Sequence, residues 1–140
     1  MKLGATSLIA FGLLSSSLPL FAHHSFAAEY DSRKTVTIHG IVQKVAWVNP
    51  HAYVWVDVKD ENGKVVTYAF ESLSPNALIR GGWTRNSLKD GDEVTVDGYL
   101  AKDGKPLADG SIHANSKLIT LADGRKVFAG SSADTAEPSK

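Results

Sequence analysis

Turn dipeptides made of Asn or Asp followed by Gly punctuate this chain at Asn62-Gly63, Asp90-Gly91, Asp103-Gly104 and Asp123-Gly124. Glycine enters the left-handed backbone region without a Cβ penalty, so such pairs favour the tight reversals that join antiparallel strands. Between them the residues alternate rather than follow a helical period. Val54, Val56 and Val58 share one face of a run whose other face carries Tyr53, Trp55 and Asp57. A period of two with one apolar face describes a half-buried strand. The fold class is therefore all-β.

The runs are placed as follows. Val36 to Trp47 forms a first, long strand, with Val36 and Ile38 on one parity and Ile41, Val45 and Trp47 on the other. A bulge at Gly40 is expected to produce that switch. Asn49-Pro50 interrupts pairing, because Pro50 has no N–H to donate. Ala52 to Val58 is the second strand and Val65 to Glu71 the third, joined by the turn at Asp60 to Gly63. Ser74-Pro75 supplies an N-cap and a first helical residue for one short helix through Ala77, Leu78 and Ile79, stopped by Gly81-Gly82. Trp83 follows as an apolar plug. Asp92 to Leu100 and Ile112 to Leu121 are the fourth and fifth strands, and Lys126 to Ala129 is a short closing one. This order predicts a small five-to-six-stranded OB-like barrel, with a helix between strands 3 and 4. A small β-sandwich is the competing arrangement.

The chain's beginning has a different composition. Lys2, an apolar stretch from Leu8 to Leu20 broken by serines, and Leu20-Phe21-Ala22 follow the layout of a secretory signal. The stretch falls short of the ~20 apolar residues that span a bilayer. The expected organisation is a signal peptide over 1–22, a barrel domain over 23–129 and a disordered polar tail over 130–140. The expected location is the periplasm. The 15 basic and 15 acidic residues leave no basic footprint for nucleic acid, and no later segment suits a membrane. Without cysteine the chain has no disulfides and no lipoprotein anchor.

Cleavage after Ala22 would create the most pointed chemistry. His23 would then carry a free α-amino group beside its imidazole, a pair able to chelate copper(II) as a histidine brace. His24 adds a second imidazole. His51, directly after Asn49-Pro50, is the expected third ligand, with Glu71 as the acceptor that steadies its other nitrogen. His39 and His113 neighbour inward-facing residues and are expected to point to solvent. Copper is the expected metal, with zinc open, although no zinc or calcium motif is present. Tyr53 and Trp55 face away from the valines. They either receive a sugar, small molecule or protein partner, or are covered by the N-terminal segment through Phe26 and Tyr30. The second alternative is preferred. No nucleophile elbow and no phosphate-binding glycine loop occurs, so no catalytic residue is assigned. A copper-dependent oxidative activity is the one enzymatic alternative.

Several stretches recur together in one group: His23 to Asp31, Trp47 to Ala52, Ser74-Pro75-Asn76, Gly82-Trp83, Gly91 to Val94 and Leu121 to Arg125. On these the chain resembles a family of small exported bacterial proteins classed as a domain of unknown function. The resemblance implies a periplasmic domain and brings no activity. His23, His24 and His51 lie inside its motifs while His39 and His113 do not, which favours His51 as the third ligand. The expectation is a periplasmic metal-binding protein that stores, delivers or buffers copper, with a periplasmic protein as a further possible partner. An OB-type binding module is the alternative.

Overall fold

The computed structural model describes residues 26–131; the expected signal peptide, His23, His24 and the last nine residues of the expected tail lie outside them. The chain begins with a single helical turn, α1 (Phe26–Glu29), followed by β1 (Tyr30–Ala46), β2 (Tyr53–Lys59), β3 (Val65–Glu71), α2 (Pro75–Arg80), β4 (Glu93–Ala101), β5 (Ile112–Leu121) and β6 (Lys126–Val127). Sheet order is β3-β2-β1-β4-β5-β6, and β3 also pairs with β5 in parallel through Tyr68↔Ile112 to Glu71↔Asn115. That last pairing closes β1, β2, β3, β5 and β4 into a five-stranded OB-like barrel with β6 as an extra strand. No helix among the described residues is long and apolar enough to cross a membrane.

The core follows from the alternation. Val54, Val56, Phe70, Val94, Val96, Ala114 and Ile119 point into the barrel and are fully buried. α2 forms where expected: the Ser74 hydroxyl accepts from the Ala77 N–H at 3.2 Å, Pro75 opens the helix and Gly81 caps it. Its Leu78 enters the core. At the closing end, buried Phe128 meets Trp47 edge-on at 5.5 Å and Trp83 at 6.2 Å, so both tryptophans serve as apolar cover.

Five details depart from the sequence reading. α1 is a second short helix. β1 begins at Tyr30, six residues early, and β6 ends at Val127 rather than Ala129. Packed structure also continues past 129: the Gly130 N–H donates to the Lys117 carbonyl at 2.8 Å and Ser131 is buried. Finally, the parity switch of β1 falls between Val42 and Lys44, not at Gly40. The additional residue there inverts every later side chain. Ile38 and Val42 thus face inward, and Ile41 is 45 % exposed.

Gly40 has another purpose. A Cβ at this position would collide with the Asp57 carbonyl oxygen and lie 2.9 Å from Val56 Cγ1. Gly98 is equivalent on β4, where a Cβ would collide with the Asn115 carbonyl oxygen, and here an irregularity does occur, between Asp97 and Gly98. Both obstacles are backbone and cannot turn away. Gly40→Ala and Gly98→Ala should each lower unfolding free energy by about 1–3 kcal/mol, the usual cost of overpacking. Urea titration of the purified protein measures this, and unchanged midpoints would contradict the close approach.

Candidate functional site

In most barrels of this size the outward face of a strand meets water. Here part of that face has a cover. Outward positions on β2, β3 and β5 form two rows: Trp55↔Ala69↔His113, and Tyr53↔Glu71↔Asn115. Ala69 keeps the middle of the first row low. α1 and the start of β1 lie across these rows, tied down where Tyr30 pairs with Ala101 of β4 and where the Lys102 ammonium reaches the Ala27 carbonyl. Phe26 packs on Tyr30 at 5.5 Å and on Tyr99 at 5.2 Å.

At the centre is Glu71, only 7 % exposed. Its Oε2 accepts from the Tyr30 hydroxyl at 2.8 Å and from the Tyr53 hydroxyl at 2.9 Å. Its Oε1 lies 3.4 Å from His51 Nδ1, which also stands 3.1 Å from the Ser72 carbonyl oxygen. A carboxylate and a carbonyl can only accept, so Nδ1 holds the proton of the neutral ring and Nε2 holds the lone pair. No hydrogen-bond partner for Nε2 occurs among the described residues. The His51 side chain is 32 % exposed. Sequence reasoning thus placed Glu71 correctly beside His51.

His113 was expected in solvent, and the structure corrects this: its side chain is 10 % exposed. The ring meets Tyr30 edge-on at 5.3 Å and stacks on Tyr53 at 6.4 Å. Its Nε2 is 2.9 Å from the Tyr30 oxygen and 3.9 Å from Glu29 Oε1. Because Tyr30 gives its one proton to Glu71, His113 Nε2–H is the donor to Tyr30. The expectation failed because facing away from the barrel interior was equated with facing water. His39 is exposed as expected, with Nε2 2.8 Å from Glu93 Oε1 and Nδ1 3.1 Å from Thr95 Oγ1.

The aromatic pair divides. Tyr53 joins the Glu71 network, so the cover by Tyr30 reaches it through the carboxylate. Trp55 instead donates from Nε1 to Asp109 Oδ2 at 2.9 Å, with Lys44 Nζ 4.8 Å from its ring centre. Hydrogen bonds from Ser111, and then from Trp55, hold the Asp109 carboxyl below the usual carboxylate range. Glu29, Tyr30, His113 and Asp109 are the site residues that sequence reasoning did not assign. Tyr30 had a signal, as the aromatic expected to pin the N-terminal segment.

Burial pushes the Tyr30 phenol far above its ordinary value, and the Glu71 charge, the bond to Glu71, and Glu29 add to it. Tyr53 is raised for the same reasons in the same order. Both phenols are thus neutral donors at neutral pH.

A family model described as a family of unknown function, DUF6152, matches residues 10–110. No curated protein and no solved structure matches the chain.

Two outcomes follow for the phenols. Folded-state values above the unfolded value of about 10 mean that their stabilisation is complete below about pH 10 and is lost as pH rises beyond it. Denaturation curves at increasing pH should show that loss, and Tyr30→Phe should flatten it. At neutral pH the same substitution should cost about 1–3 kcal/mol, because a buried carboxylate loses a donor. A wild-type pH profile that stays level above pH 10 would contradict the network.

Proposed function

The chain belongs to DUF6152, a family whose description assigns no activity, and within it we propose an exported, periplasmic metal-binding domain whose ion is copper. The ligands in this reading are His51 Nε2 and the amine and imidazole of His23, with the His24 imidazole beside them. The domain carries the ion for storage, buffering or delivery to another exported protein, and it is not a catalyst.

The state of the His51 ring carries the proposal. Metal-binding histidines ordinarily donate their second N–H to a carbonyl or carboxylate, which sets the tautomer and the ring's orientation. At His51 the Ser72 carbonyl accepts from Nδ1, with the Glu71 carboxylate 3.4 Å away, and Nε2 is left to coordinate. The start of the described chain supports the same reading. Tyr30 holds that segment to Glu71, the carboxylate that also steadies His51. His23 is three residues before Phe26, a covalent reach of about 10 Å. A mixed amine and imidazole donor set suits copper(II), which heads the affinity order among divalent first-row ions.

A binding face built on Tyr53 and Trp55 is less favoured, since the polar atoms of both rings are engaged within the protein, by Glu71 and Asp109.

Intact-mass measurement of the secreted protein should give a mature start at His23. Titration of that protein with copper(II) should show one tight site, weakened at least about tenfold by His51→Ala and by one additional N-terminal residue. Affinity should fall as pH drops, because protons compete for the nitrogen lone pairs that bind the ion. A different mature start, or equal affinity in all three proteins, would refute the brace.

A further inference from the structure

The far side of Glu71 carries a second set of donors that the copper reading does not use. We propose that Glu29, Tyr30, Glu71 and His113 form a separate cation site for a hard, trivalent ion of the ferric type.

Spacing is the first argument. Tyr30 oxygen stands 2.8 Å from Glu71 Oε2 and 2.9 Å from His113 Nε2. Metal–ligand bonds of about 2.0–2.1 Å in an octahedral site put adjacent donors about 2.9 Å apart. Glu29, Glu71 and His113 each offer a ligand atom within 4.8 Å of the others, and Glu29 Oε1 to His113 Nε2 is 3.9 Å. Glu29, which is on the partly exposed rim, must close in. The four donors come from α1, β1, β3 and β5, so the tertiary fold assembles them.

Charge is the second. The ion-pair partners of Glu71 and Glu29 among the described residues are histidines, His51 and His113, and no lysine or arginine is paired with either. Lys102, which lines the adjoining cavity, directs its ammonium to the Ala27 carbonyl. A buried carboxylate without a cation is costly, and apolar residues of similar volume would cover the barrel more favourably. Two carboxylates and one phenolate carry three negative charges, which matches a trivalent ion.

Access is the third. A cavity of about 280 Å³, lined by Glu29 and His113 together with Ala28, Ala101, Lys102 and Asp103, opens beside the cluster. It gives a route for the ion and room for water at remaining coordination positions.

The donors also select the class of ion. Three hard oxygens and a single nitrogen disfavour copper(II), whose preference for nitrogen directs it to the His51 side. On binding, Tyr30 releases its proton to solvent and its oxygen lone pair takes the ion. His113 moves its proton from Nε2 to Nδ1 and coordinates through Nε2. No electron is transferred.

Titration of the secreted, copper-free protein with ferric nitrilotriacetate tests the site. A visible phenolate-to-iron charge-transfer band should grow to saturation at one iron per chain. Tyr30→Phe should abolish it with circular dichroism unchanged, and His51→Ala should leave it intact while removing tight copper binding. If Tyr30→Phe fails to fold, Glu29→Gln on the rim decides, with an expected loss of about tenfold or more in iron affinity. No band in the wild type, a band undiminished in Tyr30→Phe, or iron affinity unchanged in Glu29→Gln would overturn the proposal whatever the copper result.

Discussion

Four parallel register pairs between β3 and β5, from Tyr68↔Ile112 to Glu71↔Asn115, hold this molecule closed. Without them the sheet would end at β3 with its backbone donors and acceptors unpaired. With them the apolar faces of five strands enclose one interior, where Phe70 and Ala114 meet the valines of β2 and β4. The same pairs set Glu71 and His113 on adjoining outward rows. Core and polar site therefore rest on one set of contacts between segments distant in the chain.

Covering an outward face with α1 and Tyr30 creates a second, polar interior. A carboxylate buried there needs donors, and Tyr30 and Tyr53 supply them at 2.8 and 2.9 Å. The arrangement is directional. His113 donates to Tyr30 and Tyr30 donates to Glu71, while the His51 Nδ1–H donates to the Ser72 carbonyl with Glu71 Oε1 3.4 Å away. The phenols are shifted upward, by burial first and by the Glu71 charge next. Glu71 thus joins two halves of the site: an imidazole end at His51 and an oxygen-rich end at Glu29 and Tyr30.

Several parts of this arrangement were legible from local chemistry. Ser74, Pro75 and Gly81 delimit α2 because capping groups satisfy helix ends within a few residues. The valine alternation in β2 identifies the buried face without reference to any partner. The nearness of Glu71 to His51 followed from pairing β2 with β3 across the Asn62-Gly63 turn. The parity of β1 was not legible, since a bulge is defined against a partner strand and Gly40 is small because of the Asp57 carbonyl. His113 was misplaced for a related reason. Its surroundings are Tyr30, Tyr53 and Glu29, at sequence separations from 60 to 84 residues, and no pattern local to β5 encodes them.

By itself, then, the sequence determined the order of the strands, the inward face of β2, the capped helix α2 and the candidacy of His51, all of which rest on periodicity, turn chemistry and capping over a few residues. Tertiary structure decided which outward side chains are covered and which proton each one holds. Hydrogen-bond direction depends on acceptors brought in from other strands, and burial depends on what crosses over a face. Neither is a property of any segment alone.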